Sequence, residues 1–231
     1  MIKYNNKLTS VFVSVGLLLG VCSSTTIADT GKDNGATMNA EAIALGEELI
    51  FEKKGFRLNQ ATQEGTTVKQ RLTQDGIQKA CSALVDAQVD SETAAKVSAL
   101  ARKSITKPAV GVKLGDWKKG EEVARSGYGF RVGHKTDNHS KREAGGNCYA
   151  CHQLDPDEIA YGTLGPSLTG YGKLRGTSEP ILNYAYEIIY NPHAYFPCTH
   201  MPRFGSNSVL TAQQISDVMA YLFDPASPVN Q

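Results

Sequence analysis

In the stretch GGNCYACHQLDP, Gly145 to Pro156, two cysteines stand three residues apart and a histidine follows the second directly. These are the residues of the chain best suited to chemistry, and three chemistries use such a pattern. A closed zinc site needs four ligands, usually as two Cys/His pairs, and no second pair at suitable spacing follows. A redox dithiol usually opens a helix after a strand in a βαβ setting, and no strand-rich segment precedes Gly146. Covalent haem attachment uses Cys-x-x-Cys-His. Cys148 and Cys151 would form the two thioethers, and the adjacent imidazole of His152 would fall under the iron.

A haem iron usually takes a second axial ligand. Met38 lies in the N-terminal tail, and Met219 sits on an apolar helical stripe that reads as core. Met201 lies in the turn-rich segment CTHMPRFG, far enough beyond His152 for the chain to wrap the ring and return on its other face. Its neighbour His200 is the rival ligand. A thioether raises the reduction potential relative to a second imidazole. A ligating imidazole normally gives its other N–H to a carbonyl. Pro166, in GTLGPSLTGYG, can accept without competing, because proline has no backbone N–H.

The elements that must position these residues read as helices. Asp116 is a good N-cap for a helix to Ser126 with Gly127 as its stop, and Trp117, Gly120, Val123 and Ala124 fall near one face. Thr211 and Gln214 form a capping box before Ile215, Val218, Met219 and Leu222 at helical spacing. Gly120 would let a ring such as Tyr221 approach. Ser178 would cap a helix through Tyr190, which Asn191-Pro192 ends. Helices over Glu41–Phe56, Asp75–Leu84 and Ser91–Ser104 are expected upstream. GEELIFEKKGFRL from Gly46 echoes GEEVARSGYGFRV from Gly120, as a duplication relic or by chance. The fold class expected is all-α, a class I cytochrome c-like domain around one covalent haem, with an N-terminal helical extension.

The chain has 231 residues with 41% hydrophobic and 20% charged content, ordinary for a globular protein. Lys3 and Lys7 precede the apolar run Val11 to Val21, which is short for a membrane span, and Ala28 ends a small-residue site. This reads as a secretory signal peptide over 1–28. Cys22 raises a lipoprotein reading, but bulky Val21 precedes it where a small residue is wanted. The mature chain then holds 22 Lys and Arg against 23 Asp and Glu, a balance near −1 and no footprint for nucleic acid. The remainder divides into a helical extension, 29–113, and a cytochrome domain, 114–231. In an oxidising periplasm Cys81 and Cys198 are expected to be bonded. A Cys81–Cys198 disulfide would pin the extension beside the Met201 loop; two free cysteines or a bridge to a partner chain are the rivals. Lys173 and Arg175 could pair with haem propionates, face a partner or be solvated surface. Tyr184, Tyr186, Tyr190 and Tyr195 read as packing for haem and core. His134 and His139 read as solvated loop.

GGNCYACHQLDP, YGTLGPSLTGYGKLRG and CTHMPRFG together resemble the X subunit of the Sox sulfur-oxidation system, a monohaem cytochrome c. The likeness is dense from Gly145 to Gly205 and loose before Leu114. It implies haem attachment at Cys148 and Cys151 and ligation by His152 and Met201. It implies a heterodimer with a SoxA-type cytochrome subunit, dihaem or monohaem. That pair acts as an L-cysteine S-thiosulfotransferase, joining thiosulfate oxidatively to a cysteine of a sulfur-carrier protein. A soluble cytochrome c then accepts the electrons. The family's sulfur-reactive cysteine lies on the A subunit, so no catalytic nucleophile is assigned to this chain. Cys198 reads as structural rather than as a sulfur acceptor. A free-standing periplasmic electron carrier is the alternative. No nucleic-acid or membrane partner is expected.

Overall fold

The computed structural model describes residues 41–42, 44–46, 48–49, 57–63, 65–84, 88–130 and 141–231. The signal peptide, Cys22, Met38, His134 and His139 lie outside them, as does most of the upstream half of the GEE…GFR echo. Residues Ala42–Gln231 form one compact unit.

The larger unit is built from helices: α1 (Val68–Leu72), α2 (Gly76–Ser82), α3 (Ser91–Ser104), α4 (Trp117–Arg125), α5 (Tyr171–Arg175), α6 (Glu179–Tyr190) and α7 (Ala212–Phe223). Single 3₁₀ turns stand at Cys148–Ala150, Pro192–Ala194 and Pro228–Asn230. Among the described residues, extended pairing is limited to one bridge between Ala61 and Thr67. The fold is all-α. Residues 41–42 and 44–46 are helical, and the rest of the helix expected to Phe56 lies largely outside the described residues.

Short polar caps set the boundaries. Thr67–Gln70, Asp75–Gln78 and Thr211–Gln214 are capping boxes, and Asp90 and Asp116 cap α3 and α4 through their side chains. Each satisfies backbone donors that a helix start would leave bare. Ser178 makes no side-chain cap on α6. Pro180 occupies the second helical position, where one of the usual N–H targets is missing. Helix α4 ends at Arg125 and not against Gly127, because Ser126 turns away to pair with the segment ahead of the cysteines.

Two cores result. The larger joins α4, α6 and α7 around Val123, Ala124, Tyr186, Met219, Tyr221 and Phe223. Its seam is the crossing of α4 and α7 at Gly120, where a Cβ would stand 1.9 Å from the Asp217 carbonyl oxygen and 3.0 Å from Tyr221 Cβ. Any side chain there would force the helices apart. The smaller core joins the extension to the distal segment: Ile77, Val97, Ala101 and Ala194, with Cys81 and Cys198 packed against them. Cys81 and Cys198 are disulfide-bonded, as expected from their being the two cysteines left over.

Candidate functional site

The Cys-x-x-Cys-His segment is held by backbone bonds on both sides. Upstream, Gly145 N–H donates to Tyr128 O at 2.7 Å, Gly146 N–H to Val123 O at 2.8 Å, and Asn147 N–H to Ser126 O at 3.0 Å. This lays residues 145–147 against the end of α4. A Cβ on Gly145 would stand 2.1 Å from Ser126 O. Asn147 then takes φ 48°, the left-handed conformation that asparagine tolerates better than most residues, and turns the chain into Cys148–Ala150. His152 N–H and Cys151 N–H both donate to Cys148 O, at 2.9 and 3.1 Å. Two thiols and an imidazole are thereby wound into one turn.

Downstream, the loop 162–169 runs back along this turn. Gly162 N–H donates to Tyr149 O, Gly165 N–H to Cys151 O, and Leu168 N–H to Gln153 O, all at 2.8 Å. Gly165 is a cradle for the imidazole: a Cβ there would sit 2.2 Å from His152 Cε1. Beside it, His152 Nδ1 and Pro166 O lie 2.8 Å apart. A carbonyl offers only lone pairs, so Nδ1 carries the proton and donates. In the neutral ring Nε2 then keeps its lone pair, the form in which an imidazole binds a metal.

The thiols fit the same use. Cys148 and Cys151 are not bridged to each other. Burial pushes the Cys148 thiol up to about 12, so it stays protonated at neutral pH. The residue as a whole is half-buried, but its sulfur shares the space beside Gly146 with Leu210 Cδ1 and Phe204 Cε1. Such an apolar setting suits a neutral thioether and opposes the thiolate that zinc requires. Among the described residues no cluster of three His, Cys, Asp or Glu could hold a metal ion.

Met201 is half-buried and packs against the larger core, together with Cys148, Leu168, Tyr171 and Tyr190. His200 is exposed. The MPRFG segment docks on the end of α6, where Gly205 N–H donates to Tyr190 O at 3.0 Å and a Cβ on Gly205 would meet the Tyr190 ring at 2.2 Å. Lys173 and Arg175 are solvent-exposed, and Arg175 lies over the Tyr171 ring at 5.9 Å. Tyr186 is buried, Tyr184 and Tyr190 are half-buried, and Tyr195 is exposed. Tyr195 donates to Glu187 at 2.6 Å, and that carboxylate also pairs with Lys107.

One group escaped the reading of the sequence. Tyr149, between the two cysteines, shares a 2.7 Å hydroxyl contact with Tyr221 on α7 and accepts from Asp155 N–H at 3.2 Å. Arg125 lies over the Tyr149 ring at 4.7 Å and pairs with Glu121, Asp155 and Glu158. The pair of tyrosines couples the Cys-x-x-Cys-His turn to the helix crossing. Their separation of 72 residues gives no sequence signal.

The comparisons with known proteins bear on this geometry. A cytochrome c family model matches residues 141–224, the segment that contains both the Cys148–His152 turn and Met201. An uncharacterized lipoprotein of Aquifex aeolicus (strain VF5) is 40% identical over 197 residues, covering 85% of this chain and 92% of that protein. The chain belongs to that protein's family and carries a cytochrome c domain. Haem c, covalently attached, is therefore its cofactor. The crystal structure of SoxXA from P. pantotrophus is 24% identical, covering 53% of this chain and 90% of that one, with a TM-score of 0.35. A TM-score that low carries no structural argument.

Proposed function

We propose that this chain is the electron-accepting subunit of an exported thiosulfate-oxidising complex, with Cys148 and Cys151 as the thioether residues and His152 and Met201 as axial ligands. The observation that carries the cofactor half is the imidazole: its Nδ1–H is spent on Pro166 O at 2.8 Å, and two unbridged thiols stand in the same turn. The sulfur half is carried by the likeness of GTLGPSLTGYG and CTHMPRFG to the Sox X subunit. The SoxA-type partner rests on that same likeness of sequence.

Bound haem c supplies reversible one-electron exchange. The residues of this chain tune that exchange and protect it. Pro166 O strengthens the His152 ring as a ligand by accepting the hydrogen bond from its Nδ1–H. A thioether from Met201 is neutral and weakly basic, which favours the reduced state and a high potential. The apolar groups around Cys148 keep water away. Joining a thiol to thiosulfate releases one proton and two electrons, so a single haem accepts them one at a time and must pass the first on.

The Aquifex aeolicus relative is named a lipoprotein, which supports export of this chain. Processing after Ala28, or at Cys22 for a lipid-anchored form, is separated by the mass of the mature N-terminus. Purification from a native host under mild conditions tests the complex. Coelution with a second haem protein, and haem reduction by thiosulfate plus a cysteine-bearing carrier, is the expected result. A monomer that exchanges electrons without any sulfur substrate would leave a free-standing carrier.

A further inference from the structure

The segment that bears Met201 is tied at both ends to one short helix. Cys198, three residues before Met201, is bonded to Cys81 in the last turn of α2. Arg203, two residues after it, pairs through Nη1 with Asp75 Oδ2 at 2.6 Å, and Asp75 is the N-cap of the same helix. Asp75 and Cys81 are about 9 Å apart along a helical rise, so residues 198–203 are anchored at two points near opposite ends of α2. The Arg203 side chain is only 10% exposed.

The helix itself is fixed. Ile77 packs with Val97 and Ala101 of α3 and with Ala194 of the distal segment. Ser98 Oγ donates to His193 O at 3.4 Å, and Cys198 N–H donates to His193 Nδ1 at 3.0 Å. Cys198 has φ 59°, a left-handed conformation that L residues avoid unless their surroundings enforce it.

A thioether is a neutral, weak ligand. It holds its place only if opening the loop that carries it is costly. We infer that α2 is a splint for the distal loop, with Asp75, Cys81, Cys198 and Arg203 as positioning residues that keep Met201 in place. This rests on Met201 as the axial ligand. It assigns the extension a task in the redox site, where the likeness to the Sox X subunit is loose.

The test uses the full-length holoprotein. Asp75→Asn removes the carboxylate charge that pairs with Arg203 and keeps an oxygen for the helix cap; Cys81→Ser with Cys198→Ser removes the bridge. Displacement of the axial ligand by cyanide in the ferric protein is timed by stopped flow. Each variant should react about tenfold faster, the ratio that corresponds to roughly 1.4 kcal/mol of easier opening. Haem content and far-ultraviolet circular dichroism should match the wild type, and amide exchange should quicken in 199–205. Unchanged displacement rates would overturn the splint. If the double serine variant does not fold, Asp75→Asn decides alone. Met201→Ala, run alongside, separates the two claims: an unaltered spectrum and unaltered cyanide kinetics there would sink the ligand assignment, and the splint with it. A changed Met201→Ala with unchanged Asp75→Asn would sink the splint only.

Discussion

The crossing of α4 and α7 makes a sharp prediction, because one chemical change should have opposite effects at two helical sites. In Gly120→Ala the new Cβ would stand 1.9 Å from the Asp217 carbonyl oxygen, where 3.4 Å is the near limit of ordinary contact. The obstacle is backbone, so no rotamer relieves it. The helices must part by about 1.5 Å, which strains the bonds from Gly115 N–H to Ser216 O and from Asp116 N–H to Asp217 Oδ1, both 2.9 Å. Overpacking of this kind costs about 1–3 kcal/mol and occasionally more. Alanine returns about 1 kcal/mol through helix propensity. The crossing also supports the attachment turn through Tyr149 and Tyr221, so losses extend beyond the contact itself. The net loss is about 2 kcal/mol at the upper end of that range, or roughly 4–8 °C in Tm for a chain of this size. In Gly76→Ala the Cβ would lie 3.5 Å from Leu100 Cδ1, an ordinary contact at the first residue of α2. That variant should gain up to about 1 kcal/mol by restricting the unfolded chain. Thermal and urea unfolding of both holoproteins, followed by far-ultraviolet circular dichroism, makes the comparison. Equal stability of the two variants would refute the reasoning, since the close approach is what separates them.

Removing the Cys81–Cys198 bridge, which spans 117 residues, should cost about 4.8 kcal/mol in the chain-entropy account. Unfolding of the double serine variant against the wild type checks this, and a loss below about 1 kcal/mol would contradict it. Burial lowers His193 from its ordinary 6.5, and Arg203 beside it acts in the same direction while Asp75 opposes it. The unfolded chain therefore binds the extra proton, so stability is full above about 6.5 and falls as pH drops through the folded value. A His193→Gln variant should show a flatter Tm between about pH 7.5 and about pH 5, and an equally steep fall would argue against the assignment. Tyr149→Phe and Tyr221→Phe should each cost about 1–2 kcal/mol, because each leaves the other hydroxyl without its partner. The double variant should cost less than the two together, and simple additivity in a double-mutant cycle would show no coupling.

Much of the helical frame was legible in the sequence because caps are local. Thr211 with Gln214, Asp116 and the Ser91–Ser104 run each act within a few residues, and the structure places them as the pattern demands. The approach at Gly120 could also be read, since a glycine amid larger residues on a helical face marks a close neighbour. The Cys81–Cys198 pairing followed from cysteine arithmetic, though not its role beside α2. Ser178 failed as a side-chain cap, and Pro180 removes one of the two N–H groups such a cap can bind. The positive φ of Asn147 and Cys198 could not be foreseen, since tertiary contacts impose them. The same holds for the hydroxyl pair of Tyr149 and Tyr221 and for the Arg203–Asp75 bond across 128 residues. Long-range polar partners leave no periodicity to read.

The central claim is that one haem sits between His152 and Met201 on thioethers from Cys148 and Cys151. The most direct measurement is the absorption spectrum of ferric Met201→Ala holoprotein beside the wild type and His200→Ala. The account predicts that the weak far-red sulfur-to-iron charge-transfer band disappears in Met201→Ala and survives in His200→Ala. A band that persists without Met201, or vanishes with His200, would contradict it.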